Sequence, residues 1–145
     1  MKIEKKIADP KYYDIQREEK ITYIVVQEIR NKATPHYHIA NGKAVQIVPD
    51  NHLSNSVNGG KLNRNGYLHG ICNKYNSISV GVSDIMSDED KQACLDLIMT
   101  LKQRYRVKIE NIVRQKDITG EENPNIWHDN ETWKEDINDK LIELT

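Results

Sequence analysis

The stretch ITYIVVQ, Ile21 to Gln27, decides how the chain is organised. Its residues from Ile21 to Val26 are dense in β-branched side chains, which is typical of a central strand buried on both faces. Two further runs follow, HYHIA from His36 and KAVQIVP from Lys43, and the pair Asn41-Gly42 separates them. Asn-Gly between two short apolar runs is a strong hairpin signal. The sequence therefore predicts a sheet with Ile21–Val26 at its centre and a β-hairpin beside it.

The second half of the chain adds a strand, a helix, a short strand and a last helix. SISVGV, Ser77 to Val82, alternates small polar and apolar residues, as a strand does, and Gly81 leaves one face of it bare. Ser87 precedes three acidic residues, an N-cap signal for a helix whose apolar stripe is Cys94, Leu97, Ile98, Leu101 and Tyr105.

IENIVR, residues 109–114, predicts a short strand, and DITGEENPN after it predicts a loop. Thr132-x-x-Glu135 is expected to cap a last helix with an inner stripe of Trp133, Ile137 and Leu141. The order of elements predicts an α/β domain with a mixed central β-sheet flanked by helices.

Length and composition narrow the class of protein. The chain has 145 residues, which fits one domain, 1–145, with residues 1–20 as an irregular lead-in. Charged residues make up 30% of it but the net charge is −1, so no nucleic-acid or membrane partner is expected. Two cysteines are too few for a disulfide framework. The N-terminus lacks the apolar core of a signal peptide, so we expect a protein that is cytoplasmic as synthesised, with export only by a route that uses no signal peptide.

Three segments, in this order and spacing, resemble the type 2 N-acetylmuramoyl-L-alanine amidase family, which includes the peptidoglycan recognition proteins and many phage endolysins: HYHIANGKAVQIVPDN, HGICNKYNSISVGV and IENIVRQKDITGEENP. The third is the most specific. Family members carry Arg-His-x-Asp-x-Thr-Gly in a run that ends in Cys-Pro. Here the run is Arg114-Gln115-Lys116-Asp117-Ile118-Thr119-Gly120, and it ends in Asn123-Pro124. The resemblance implies the amidase type 2 fold from about Ile21 to the final helix.

The same resemblance places three amides where the family binds zinc. Its ligands are a His at the end of the first strand, the His of the Arg-His pair and the Cys before Pro, and these positions are Gln27, Gln115 and Asn123. Zinc prefers imidazole, thiolate or carboxylate, and a neutral amide oxygen is a weak ligand for it. We therefore expect no zinc cofactor, no metal site at these positions and no catalytic residues.

Other departures agree with a loss of catalysis. A Lys that steadies the oxyanion in relatives is Glu121, whose carboxylate would repel developing negative charge. The acidic residue common in the NSISVGV strand is Gly81, and a Trp-His pair is Asn55-Ser56. The catalytic Tyr or Glu of the family falls near Pro35 or His36.

Four residues are candidate ligand contacts near the former site: His36, Tyr37, His38 and Trp127. His36 and His38 lie two apart on a predicted strand, so both face one way, a spacing that also suits a relocated metal site if a third ligand exists. The simpler interpretation is that His36 or Tyr37 packs beside the sheet, His38 faces the groove or solvent, and Trp127 anchors the last helix.

Three hypotheses about function follow. The leading one is a catalytically inactive amidase-like domain that binds a peptidoglycan fragment or a protein partner. The second is a regulatory or partner-binding protein of a phage lysis or secretion system. The third is an active peptidoglycan amidase with a metal site rearranged around His36 and His38.

Overall fold

The computed structural model describes residues 1–30, 33–57 and 66–145, and within these ranges it contains one mixed six-stranded sheet. The strands lie in the order β1-β4-β3-β5-β2-β6. Their bounds are β1 Ile3–Lys5, β2 Tyr23–Glu28, β3 Tyr37–Ala40, β4 Lys43–Gln46, β5 Ser77–Val82 and β6 Ile112–Arg114. The helices are α1 Asp88–Tyr105, α2 Gln115–Thr119, α3 Asn130–Trp133 and α4 Asp139–Leu144, the last two joined by a π-helical turn at Lys134–Asn138. The predicted α/β class is confirmed.

Strand β2 lies inside the sheet, as its β-branched run predicts. It pairs in parallel with β5 on one side and β6 on the other. Ile24, Val25 and Val26 have no exposed surface. The register places Gln27 opposite Gly81, and Gly81 opposite His38 of β3. These three residues therefore form one row across the carboxyl end of β2.

The β3–β4 hairpin is also confirmed. The two strands are antiparallel, with Ala40 opposite Lys43. Asn41 has φ 53° and Gly42 has φ 71°. Both residues thus adopt the left-handed backbone that a two-residue type I′ turn requires, and Asn-Gly tolerates it best.

The two faces of the sheet differ in character. Helix α1 covers one face, where its stripe of Cys94, Leu97, Ile98 and Leu101 joins the large apolar core. The other face carries a small apolar cluster of Val25, Val57, Leu68, Cys72, Val113 and Ile118. Beside that cluster the face is polar, because β5 presents Ser77, Ser79 and Gly81 there. The candidate site lies on this polar face.

Several local predictions need correction. The lead-in is not wholly irregular: Ile3–Lys5 forms an edge strand, because the outer side of β4 is open and pairs with it in parallel. IENIVR is a strand only from Ile112, after a 3₁₀ turn.

The loop predicted after Arg114 begins with the short helix α2. Asp117 accepts a hydrogen bond from the Arg114 backbone N–H at 2.8 Å, and Gly120, with φ 81°, ends the helix. The last helix starts earlier than predicted, because the Asp129 carboxylate caps it by accepting from the Thr132 N–H.

The stretch from Leu53 to Gly66 is rich in Asn and Gly, which predicts a loop. It is described only up to residue 57 and again from residue 66, so most of it lies outside the described residues. Among the residues that the structure describes, no helix has the length and apolar character needed to cross a bilayer.

Candidate functional site

Gln27, Gln115 and Asn123 come together at the carboxyl ends of β2 and β6. Gln27 lies near the end of β2, and Gln115 begins α2 directly after the neighbouring strand β6. Asn123 follows α2, just before a cis peptide bond to Pro124. All three side chains are buried. The fold thus brings Gln115 to Gln27, 88 positions away in sequence, and Asn123 to Glu28, 95 positions away.

The two glutamines are hydrogen-bonded to each other. Gln27 Nε2 donates to Gln115 Oε1 at 3.1 Å and to the Ser56 carbonyl at 3.0 Å. Because both partners are acceptors, the orientation of the Gln27 amide is fixed. Its Oε1 is buried and has no hydrogen-bond donor within the described ranges.

Asn123 is held by the main chain of Glu28 at both of its polar ends. The Glu28 N–H donates to Asn123 Oδ1 at 2.7 Å, and Asn123 Nδ2 donates to the Glu28 carbonyl at 3.0 Å. The side-chain amide therefore extends the hydrogen bonding on the β6 side of β2 to the last residue of the strand, Glu28. The Asn123 carbonyl also accepts from the Lys116 N–H at 2.7 Å, which fixes the turn to α2.

A buried ion pair between Arg114 and Asp117 stabilises α2. Arg114 Nη2 lies 2.9 Å from Asp117 Oδ1, and both side chains are almost completely buried. The remaining guanidinium hydrogens reach Asp117 Oδ2, the carbonyls of Trp127 and His128, and Asn130 Oδ1. Arg114 thus joins α2 to the segment that leads into the last helix.

The His36 ring is buried, and both of its nitrogens are hydrogen-bonded within the protein. Its Nδ1 accepts from the Ser79 N–H at 3.1 Å, so Nε2 carries the proton and donates to the His52 carbonyl at 2.8 Å. Burial, together with the nearby Arg17 guanidinium, lowers the pKa of His36 to about 4. The ring is therefore neutral at pH 7 with both nitrogens used, and it offers no lone pair to a metal in this arrangement.

His38 lies beside the three-amide cluster, as its place in the strand predicts. It is half-buried, and burial lowers its pKa. A Cβ at Gly81 would lie 3.1 Å from both Ile29 Cγ1 and Pro35 Cγ, and 3.3 Å from His38 Cδ2. A side chain at position 81 would therefore require these neighbours to shift by a few tenths of an ångström.

Tyr37 and Trp127, two of the candidate ligand contacts, are enclosed by the protein, in agreement with the simpler interpretation that Tyr37 packs beside the sheet and Trp127 anchors the last helix. Neither has exposed surface. Tyr37 belongs to the face under α1 and donates to Asp50 Oδ1 at 2.6 Å. Trp127 donates from Nε1 to Asp136 Oδ2 and packs edge-on against Trp133, so it anchors the last helix.

Glu121 is exposed in the turn before Asn123, and its N–H donates to Thr119 Oγ1. In residues 1–30, 33–57 and 66–145, no three His, Cys, Asp or Glu side chains are grouped so as to hold a metal ion.

Sequence reasoning missed the polar network that surrounds His36. Ser56 Oγ lies 2.6 Å from Ser54 Oγ and donates to Ser79 Oγ at 3.0 Å. Arg17 donates to the carbonyls of Asp50 and Ser77, which ties the lead-in to the sheet. The alternation of serines in SISVGV is the signal that could have revealed a polar face.

Comparisons with solved structures reveal the same fold in amidases and endolysins. PlyL superposes with a TM-score of 0.75 at 20% identity, covering 95% of this chain and 96% of that one. The catalytic domain of XlyA gives 0.73 at 18% identity over 94% and 99% of the two chains. The N-acetylmuramoyl-L-alanine amidase LysC from Clostridium intestinale URNW gives 0.66 at 15% identity over 98% of each. No protein-family model matches the sequence, and no curated protein matches it.

Proposed function

We propose that this chain is an amidase-like domain that has lost its zinc and binds peptidoglycan fragments without cutting them. The observation that carries this proposal is the bonding of the three amides at the positions of the family's zinc ligands. Gln27 bonds to Gln115, and Asn123 bonds to the main chain of Glu28.

This donor set does not fit zinc. The amide oxygens of Gln115 and Asn123 each already accept a hydrogen bond, from Gln27 Nε2 and from the Glu28 N–H. Zinc would have to displace these bonds and would gain only neutral oxygens in place of imidazole or thiolate. In the family's chemistry, zinc activates the attacking water, and no other group in the cluster supplies a nucleophile.

The ligand class rests on the fold. LysC, which shares the fold over almost the whole chain, is an N-acetylmuramoyl-L-alanine amidase. A domain that keeps this architecture without the metal would retain recognition of wall fragments but not hydrolysis. His38 is the candidate contact on the sheet, since it is half-buried beside the amide cluster while His36 and Tyr37 are enclosed.

A second candidate function is the binding of a protein partner, for instance in a phage lysis or secretion system. Ile15, Ile71 and Tyr75 are large apolar side chains with 65%, 55% and 47% of their surface exposed. The segments that carry them are joined by the Lys74–Asp14 ion pair and by a hydrogen bond from Arg17 to the Tyr75 carbonyl. Exposed apolar surface of this kind often marks a protein interface.

Co-sedimentation with purified peptidoglycan sacculi separates these functions, with the supernatant assayed for released peptides in the same tube. The proposal predicts that the protein pellets with the sacculi and that no peptide is released. Pelleting with release would overturn the loss of catalysis. A protein that stays in the supernatant and releases nothing would contradict wall binding and favour a protein partner.

A further inference from the structure

A cavity lies beside α2, which contributes Lys116 and Asp117 to its lining. Its volume is about 1010 Å³, and Gln27, Gln115 and Asn123 do not line it. Its walls come from Tyr67, the edge strand β6 and the last helix. This size is at the upper end for small-molecule sites.

The acidic and basic side chains that line this cavity are equal in number, so their formal charges sum to zero. The lining includes three acids, Glu110, Asp117 and Asp139, and three bases, Arg114, Lys116 and Lys134. Arg114 pairs with Asp117 at 2.9 Å, and Lys134 pairs with Asp139 at 3.1 Å. The Lys116 ammonium donates to the His128 carbonyl at 2.6 Å. A cavity with internally balanced charge favours a neutral ligand over an anion or a cation.

The cavity also combines apolar walls with uncommitted polar groups. Tyr67 and Ile142 in its lining are 69% and 60% exposed, and Trp133 of the last helix also lines it. Within the described part of the chain, the Glu110 carboxylate and the Asn138 amide make no side-chain hydrogen bond. Asn138 belongs to the π-helical turn, a rare deformation that frequently marks functional sites.

We infer that this cavity binds a neutral saccharide unit, with the apolar face of the sugar on the Tyr67 ring and its hydroxyl groups on Glu110 and Asn138. An aromatic face attracts the weakly positive C–H groups of a sugar, while carboxylate and amide groups accept and donate hydrogen bonds to hydroxyls. The choice of a cell-wall type of sugar rests on the proposed function, whereas the neutrality and the contacts do not.

The test is a titration of ¹⁵N-labelled protein with tri-N-acetylchitotriose, a neutral N-acetylhexosamine oligomer, followed by amide chemical shifts. Shifts are expected at Tyr67, Trp133 and Asn138. Tyr67→Ala should weaken binding roughly tenfold, the equivalent of one aromatic stacking contact. Tyr75→Ala is the matched control, because Tyr75 is an exposed tyrosine of the same segment that does not line the cavity.

Absence of shifts around the cavity, or equal binding by wild type and Tyr67→Ala, would overturn the inference. The sedimentation assay tests wall binding independently of this saccharide site. Saccharide binding at Tyr67 without pelleting on sacculi would leave this site standing and contradict wall binding. If Tyr67→Ala pellets as well as wild type and the saccharide causes no chemical-shift changes, wall binding would stand and this saccharide site would be contradicted.

Discussion

Asn123 shows at the scale of one residue how an amide side chain can stabilise the end of a strand. Its amide oxygen accepts from the Glu28 N–H and its amide nitrogen donates to the Glu28 carbonyl. The side chain thus pairs with the end of β2 as a neighbouring strand would. A thiolate could accept one of these bonds but could not donate the other. Zinc binding at this position would disrupt both hydrogen bonds.

Asn123→Ala should therefore destabilise the fold. It leaves a part-buried donor and acceptor of Glu28 unpaired, so we expect a loss of about 1–3 kcal/mol in the free energy of unfolding. Urea unfolding measures this loss. Asn125→Ala, two residues away at an exposed position, is the control and should change little. Equal stability of the two variants would contradict the structural role of Asn123.

His36 makes stability depend on pH in a defined window. Its folded-state pKa of about 4 lies below the ordinary 6.5, chiefly because it is buried. The unfolded chain binds a proton that the folded chain excludes, so the contribution is complete above pH 6.5 and is lost as the pH falls to about 4. The loss is on the order of 3 kcal/mol.

Urea unfolding between pH 7 and pH 4, compared for wild type and His36→Gln, measures the contribution of His36 to the free energy of unfolding. Part of the decline in stability should be absent from the variant, because glutamine does not titrate. Parallel pH profiles for the two proteins would show that His36 is not excluded from protonation in the folded state.

At the scale of elements, α2 depends on the buried pair Arg114–Asp117. Asp117→Asn removes one charge and leaves the Arg114 guanidinium buried without its counter-ion, which should cost about 3–5 kcal/mol. Asp139→Asn breaks the exposed pair with Lys134 and should cost less than about 0.5 kcal/mol. Thermal unfolding of both variants checks the contrast, and similar losses would refute the anchoring of α2 by this pair.

The elements predicted from sequence are those with a strong local signal. The β-branched run of β2, the Asn-Gly turn and the N-cap Ser87 each specify their own structure. The edge strand β1 and the helix α2 could not be read in this way. Strand β1 exists because β4 offers it an open edge, and α2 exists because Asp117 folds back to the Arg114 N–H. The burial of Tyr37 and Trp127 likewise follows from tertiary packing.

At the scale of the whole molecule, the resemblance correctly predicted the amidase fold and identified three distant amides that converge. It could not predict what those amides bond to, since the partners Ser56 and Glu28 are specified by the folded chain. The cavity beside Tyr67 left no motif in the sequence, because its walls come from three separate segments.

Zinc ligands of the amidase type placed at these three positions should create a metal site. The triple variant Gln27→His, Gln115→His, Asn123→Cys places two imidazoles and a thiolate where the amides converge, the donor set that zinc prefers. We expect zinc binding by isothermal titration calorimetry, with circular dichroism to confirm folding. A folded triple variant that binds no zinc would show that these positions do not superpose on a metal site.

The natural amide cluster should not hold zinc, and the zinc content of the purified protein tests this directly. Wild-type protein would be saturated with zinc, passed through a desalting column and measured by inductively coupled plasma mass spectrometry. We expect far less than one zinc ion per chain, with the triple variant as the positive control. A stoichiometric zinc ion in the wild-type protein would contradict this expectation and favour the alternative that the chain is an active amidase.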